Sequence, residues 1–101
     1  MERVFMKFAG TIEKIIASDG HASAKRDEYE GCFGFCEILY SRSSQYTKVF
    51  AIFHETDWPF HYFKTTPGEV TKDDAGHLIL STPHHSYVFT VDKLYKEKSK
   101  S

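Results

Sequence analysis

The stretch that decides the fold of this chain is Cys32–Tyr40 (CFGFCEILY), followed by Ser41–Gln45 (SRSSQ) and Tyr46–Phe53 (YTKVFAIF). The two outer runs are rich in aromatic and β-branched residues, which favour the pleated, half-buried surface of a strand. A short polar connection between two such runs is typical of a β-hairpin. We therefore predict a central antiparallel hairpin at this position.

The segment before the hairpin, Val4–Ile16, carries mostly apolar residues at its even positions and has Gly10 at its centre. A period of two predicts a strand, bent at the glycine. The competing interpretation is a helix, since several of the same apolar residues also share one helical face, but the β-branched residues and the central glycine favour the strand. Ser18–His21 then predicts a tight turn, and the charged segment Ala22–Glu30 a solvated loop.

The chain after the hairpin contains further strand and turn signals. Thr56–Pro59 ends the hairpin, because Pro59 lacks a backbone donor, and Phe60–Phe63 predicts a short edge strand. Asp73–Gly76 is a turn cluster that leads into a last hairpin, formed by His77–Ser81 and the strand beginning at Tyr87.

Length and strand count together predict the fold class. A chain of 101 residues is the size of one domain. Five to seven strands and no long amphipathic helix predict an all-β fold, a small antiparallel barrel rather than a two-sheet sandwich, because closure removes exposed edges. We expect the barrel domain to cover residues 1–95 and residues 96–101 to form a frayed polar tail, since these have almost nothing to bury.

Composition limits the classes of function. Hydrophobic residues make up 41% of the chain and aromatic residues 16%, a share that suits strands around a small core. Thirteen Lys and Arg against fourteen Asp and Glu give a formal charge of −1. No global positive field therefore attracts phosphate backbones, and a nucleic-acid site has to be a local patch.

The two cysteines, Cys32 and Cys36, fall in one predicted strand, where residues four apart are separated by roughly 13 Å. That separation excludes a disulfide between them. Free thiols, together with the lack of a signal-like apolar run or a stretch of about 20 apolar residues, predict a cytoplasmic protein with no membrane association, the nucleus being the alternative.

The motif Phe33-Gly34-Phe35 is the most informative for function. Two aromatic residues at i and i+2 project from one face of a strand, and the glycine leaves nothing bulky beside the backbone, so flat bases can stack on exposed rings. The competing interpretation is that both rings face the core. Which face they occupy decides between the two.

Phe33–Ile38 resembles the aromatic-glycine-aromatic strand motif of the RRM and cold-shock families. The resemblance to a cold-shock domain extends over about 40 residues and implies an OB-type barrel that binds single-stranded RNA or DNA without catalysis. The five strands of that family would correspond to Gly10–Ile15, Phe33–Cys36, Ala51–Thr56, Leu78–Ser81 and Tyr87–Leu94.

The resemblance also implies a binding site. Bases would stack on Phe33, Phe35 and His54, with Lys14 and Lys48 near phosphates. The sequence departs from the family where Lys14 replaces a stacking tryptophan and Glu13 replaces a lysine.

Metal binding and catalysis have weaker signals. The six histidines include the adjacent pair His84-His85, but neighbouring residues of a strand point to opposite faces, and no second Cys or His pair has zinc-site spacing. Cys36, His54 and Asp57 could supply a nucleophile, a base and an acid, yet no phosphate-binding glycine loop or nucleophile elbow accompanies them. We predict no enzyme, no metal and no cofactor.

The alternative function is a protein-interaction module, such as an adaptor, inhibitor or immunity-type domain. The segment from Trp58 to Phe63 is aromatic at four of its six positions, which are Trp58, Phe60, Tyr62 and Phe63. Exposed aromatic residues anchor many protein interfaces, whereas buried ones would form a lid over the core. An acidic loop at Asp27, Glu28 and Glu30 could serve the same function.

Overall fold

Seven antiparallel strands form one sheet in the residues that this computed structural model describes, which are 4–17, 29–56 and 62–97. The strands are β1 (Val4–Ala17), β2 (Phe33–Tyr40), β3 (Val49–Glu55), β4 (Tyr62–Lys64), β5 (Glu69–Lys72), β6 (Leu78–Ser81) and β7 (His85–Glu97). Their order across the sheet is β4-β3-β2-β1-β7-β6-β5. The predicted all-β class and the central hairpin of β2 and β3 are confirmed.

The sheet curls around one core, but it does not close into the predicted barrel. Phe63 on β4 stacks on Tyr87 on β7 with ring centroids 5.5 Å apart, although three strands separate them in the sheet. A single backbone bridge, Val49 to Gly68, ties the chain just before β5 to β3. The bridge lies at Val49, the first residue of β3, so no further residue of β3 is available to extend it toward β5.

The first segment is the predicted strand and not a helix. β1 pairs with β2 on one side and with β7 on the other. Its register with β7 shifts between Lys7 and Phe8, between Ala9 and Gly10, and between Ile12 and Lys14. Such irregularities bend a strand, so β1 can lie at the centre of a strongly curled sheet.

Two glycines face each other at the centre of the β1–β2 ladder, Gly10 and Gly34. A Cβ atom would overlap the backbone carbonyl oxygen of Thr90 at the first position and that of His54 at the second. At Gly34 it would also meet the Phe53 ring, which lies in the core. The glycine of the Phe-Gly-Phe motif therefore allows neighbouring backbones to approach on the inner face, rather than clearing space for a base on the outer one.

Aromatic rings pack against one another in the core. The Phe53 and Phe63 rings stack at 5.6 Å, Phe63 stacks on Tyr87, and Phe8 meets Phe89 edge-on at 5.6 Å. All five side chains are at most 3% exposed. Large rings let a sheet of few residues bury enough apolar area for one domain.

The structure differs from the sequence-based prediction at both β5 and the end of β7. β5 was not predicted; its β-branched Val70 and Thr71, between Gly68 and the following acidic turn, were the available signal. β7 continues to Glu97, two residues into the predicted tail, because Lys96 and Glu97 pair with β1. The predicted turn at Ser18–His21 and most of the loop after it lie outside the described residues.

Candidate nucleic-acid interface

A row of rings crosses the outer face of the sheet. Strand register places Tyr62 beside His54, His54 beside Phe35, and Phe35 beside Ala9. Tyr95 of β7 reaches the same row from the far side of Ala9, with its ring centroid 6.1 Å from that of Phe35. We call Tyr62, His54, Phe35 and Tyr95 the aromatic row.

The rings of the row are open to solvent. Tyr62 is 57% exposed, Tyr95 53% and Phe35 48%, while Phe33, two residues from Phe35 on the same face, is 42% exposed. The His54 and Tyr62 rings stack with centroids 5.4 Å apart. The alternative that Phe33 and Phe35 face the core is therefore excluded by their exposure.

The alternation of β2 directs these rings outward. Gly34, Cys36 and Ile38 are buried, so Phe33 and Phe35, which alternate with them along β2, face the other side. Burial raises the pKa of the Cys36 thiol far above its ordinary value, and the neighbouring Glu37 charge adds to the effect. This thiol is therefore a side chain of the core.

A buried tyrosine supports the edge of the row. The Tyr29 hydroxyl donates a 2.8 Å hydrogen bond to the backbone carbonyl of Tyr62. Its ring packs edge-on against Phe63 at 4.6 Å and Phe53 at 6.4 Å, and the residue is 5% exposed. Tyr29 thus links the short strand β4 to the core, a function that the polar sequence around it did not reveal.

Ala9 forms a shallow floor between two rings of the row. It is 4% exposed although it belongs to the outer face, since it lies opposite Phe35 on one side and Lys93 on the other. The Lys93 Nζ atom lies 5.2 Å from the centroid of the Tyr95 ring, within cation–π range. A small residue here lets the Phe35 and Tyr95 rings approach each other to 6.1 Å between their centroids.

Lysines flank the row. Two residues along each strand from the row, a second set of cross-strand neighbours runs over β4, β3, β2 and β1. Its members are Lys64, Ile52, Glu37 and Lys7. Lys7 Nζ lies 3.8 Å from a Glu37 carboxylate oxygen, and both side chains are more than 40% exposed, so the ion pair is weak and solvent-screened. With Lys93, this arrangement places three lysines and one carboxylate beside the rings.

The two predicted phosphate-binding lysines lie away from the row. Lys14 is exposed on β1, three residues beyond Thr11, which is the partner of Phe33, and so roughly 10 Å further along the strand. Lys48 precedes β3 and is separated from His54 by six residues, about 20 Å of extended chain. The structure brings Phe33, Phe35 and His54 to one face and leaves both lysines outside that cluster.

The other candidate residues are placed differently. Phe63 is 3% exposed and packs in the core, so of the predicted protein-binding residues only Tyr62 is described at the surface; Trp58 and Phe60 lie outside the described residues. Cys36 faces the core and His54 the outer face, so they do not form a catalytic pair. Within residues 4–17, 29–56 and 62–97, no three His, Cys, Asp or Glu side chains cluster to hold a metal.

Comparisons with known proteins give no relative: no family model, no curated protein and no solved structure matches this chain. The resemblance to cold-shock domains therefore stays a prediction from sequence motifs. In the described part of the chain no helix is long and apolar enough to cross a membrane.

Proposed function

We propose that this chain binds single-stranded nucleic acid, preferably RNA, by stacking bases on the aromatic row. The observation that carries the proposal is the alignment of exposed rings by strand register: Tyr62, His54 and Phe35 are cross-strand neighbours on one face. Proteins that bind single strands use such aromatic platforms, and each stacked base contributes about 1–3 kcal/mol.

The dimensions of the row suit a short strand. It crosses from β4 to β7, four inter-strand spacings or about 19 Å. Phe33 extends the platform toward Thr11, its partner on β1. Bases that are splayed out along such a surface can stack in succession, whereas a duplex keeps its bases inside. The proposal is therefore specific for single strands.

Charge makes the expected binding weak and moderately dependent on salt. Lys64, Lys7 and Lys93 flank the rings, while the whole chain has a formal charge of −1. Two or three phosphate contacts predict a slope of log affinity against log salt of about −1.5 to −2 for a single strand. Stacking rather than charge would supply most of the affinity.

The test is a titration of fluorescently labelled single-stranded RNA and DNA at low salt, followed by anisotropy. We expect the Phe33→Ala/Phe35→Ala double variant to lose at least about tenfold in affinity, from the loss of stacking on two rings. Ile16→Ala is the matched control, because Ile16 is 51% exposed on β1 but lies seven residues beyond Ala9. This control should bind like the unsubstituted protein.

The result also separates the proposed function from protein binding. If the folded protein causes no anisotropy change at about 100 μM, the proposal is wrong. Even nonspecific binding to nucleic acid normally has a dissociation constant below that concentration. The same exposed rings would then favour a protein partner, whose capture should survive moderate salt and fail in Tyr62→Ala.

A further inference from the structure

A pocket of about 300 Å³ opens beside the connection of the β2–β3 hairpin and shares Lys64 with the lysines that flank the aromatic row. Its walls come from the end of β2, the hairpin connection, β3, the end of β4 and the chain between β4 and β5. The lining side chains that matter here are Tyr40, Arg42, Ser43, Phe50, Lys64 and Thr65. A volume of this size is at the lower limit for small-molecule sites and holds one small ligand.

The pocket combines aromatic walls with positive charge. Tyr40 and Phe50 are both half-buried, and Lys64 Nζ lies 4.8 Å from the centroid of the Phe50 ring. Arg42 contributes a second cation from the hairpin connection, and no carboxylate is among the lining residues that the structure describes. Arg42 and Lys64 thus place two cationic side chains beside ring surfaces that suit a planar apolar group.

The hairpin connection that carries Arg42 is tightly ordered by hydrogen bonds. Residues Arg42–Ser44 form a 3₁₀ turn, and the next two residues, Gln45 and Tyr46, have φ values of +54° and +65°. Both are in the left-handed region, which costs a side-chain-bearing residue energy unless its surroundings hold it there.

The contacts that hold this turn are short. The Gln45 N–H donates to the Arg42 carbonyl at 3.0 Å and the Tyr46 N–H to the Ser41 carbonyl at 2.9 Å. The Ser41 and Ser43 hydroxyls lie 2.8 Å apart, and the Ser44 hydroxyl donates to the Ser41 carbonyl at 3.0 Å. The backbone that presents Arg42 is thus arranged before any ligand arrives, which reduces the entropic cost of binding.

We propose that this pocket binds a nucleoside monophosphate, either free or as the terminal nucleotide of a strand. Arg42 and Lys64 would hold the phosphate, and the Phe50 and Tyr40 rings would contact the nucleoside. The free-nucleotide form of the proposal is independent of the aromatic row, whereas the terminal-nucleotide form rests on the proposed function. Lys64 lies two residues from Tyr62 on one strand, roughly 7 Å, so a strand on the row can reach the pocket.

The first test titrates adenosine 5′-monophosphate into isotope-labelled protein and follows the amide resonances. We expect shifts at Tyr40–Ser44 and Phe50, and weaker binding of adenosine and of inorganic phosphate when each is titrated alone. Arg42→Gln should weaken binding of the monophosphate by about fivefold or more, as a charge-assisted hydrogen bond is lost. Lys72→Gln removes the same charge on β5, outside the pocket, and should leave the affinity unchanged.

Equal affinity of adenosine and its monophosphate, or equal affinity of the Arg42 and Lys72 variants for the monophosphate, would overturn the proposal. Shifts confined to the aromatic row would do so as well.

A second test separates the two sources of the ligand by comparing an oligonucleotide with and without a 5′-phosphate. Tighter binding of the phosphorylated strand, lost in Arg42→Gln, supports capture of a terminal nucleotide. If the free monophosphate binds and no oligonucleotide does, the pocket is supported and the proposed function fails. If the unphosphorylated strand binds and the monophosphate does not, the pocket proposal fails and the proposed function stands.

Discussion

The inner and outer faces of the sheet use the same kind of residue in opposite ways. The inner face buries Phe53, Phe63 and Phe89 at 3% exposure or less, whereas the outer face leaves Phe35 and Tyr62 about half exposed. Neighbouring positions of one strand supply both sets, since Phe53 is followed by His54 and Tyr62 by Phe63. The comparison shows that aromatic content alone does not separate a core from a binding surface; position in the pleat does.

The largest expected loss of stability comes from removing a buried ring from the inner face. Phe53→Ala should lower the free energy of unfolding by about 3–5 kcal/mol, because a fully buried ring leaves a cavity between Phe63, Phe89 and Tyr29. Urea denaturation followed by circular dichroism measures it. Phe35→Ala on the outer face is the control and should cost less than about 1 kcal/mol. Similar losses of unfolding free energy in the two variants would show that the inner and outer faces are wrongly assigned.

A smaller loss of stability is expected at Gly34, where the backbones of β2 and β3 approach each other closely. Gly34→Ala adds a Cβ that overlaps the His54 carbonyl oxygen, so β2 and β3 must separate, at a cost of about 2–3 kcal/mol. Gly76→Ala is the matched control, with φ of +86° and open space around the added Cβ. It carries only the left-handed backbone cost of about 1 kcal/mol. Unchanged thermal stability of Gly34→Ala would contradict the close approach of the strands.

Tyr29 links the core to the strand that carries Tyr62, since its ring is buried and its hydroxyl bonds to the Tyr62 carbonyl. Tyr29→Phe keeps the ring between Phe53 and Phe63 but removes the hydrogen bond to the Tyr62 carbonyl, so we expect a loss of about 1 kcal/mol. Amide hydrogen exchange should accelerate in β4 and remain unchanged in β1. Tyr95→Phe, on the exposed face, serves as the control. Unaltered exchange in β4 of the Tyr29 variant would mean that the ring alone positions this edge.

The smallest effect is expected far from both faces, in the β5–β6 turn. The backbone N–H of His77 donates to Asp73 at 2.8 Å, and this bond, with those from the His77 ring and the Ala75 N–H, lowers the pKa of the Asp73 carboxyl. A lowered pKa stabilises the fold above the unfolded value of about 3.9, and that stability is lost as the pH falls through the folded value.

Amide exchange in this turn, compared at pH 5.5 and pH 3, measures the effect after correction for the intrinsic rate. We expect protection to fall at the lower pH in the unsubstituted protein and much less in Asp73→Asn. Asp74→Asn is the neighbouring control. A pH dependence that survives in the Asp73 variant would assign it to another group.

Local pattern was sufficient for most strands. The alternation in Val4–Ile16 and the β-branched and aromatic runs flanking residues 41–45 predicted β1, β2 and β3, since period and propensity are properties of neighbouring residues. β5 was missed because its four residues are mostly polar and exposed, and only pairing with β6 makes them a strand. Barrel closure was wrongly predicted because it depends on whether distant edges meet.

The candidate site divides in the same way. Phe33 and Phe35 were recognised from an i, i+2 motif within one strand, but Tyr62 as a neighbour of His54, and Tyr95 as a neighbour of Phe35, follow only from cross-strand register. Lys14 and Lys48 were assigned from linear resemblance, and the bent β1 and the length of β3 place them elsewhere. Register couples residues far apart in the chain, and no local pattern encodes it.

The sequence by itself determined that this chain is all-β, and that Phe33 and Phe35 share one face of a strand, because side chains alternate with a period of two. Only the tertiary structure decided that this face looks outward. Gly10 and Gly34 allow the backbones to approach on the inner side, where Phe53 and its neighbours fill the core. The rings of the motif are thus left to solvent, and a ligand has access to them.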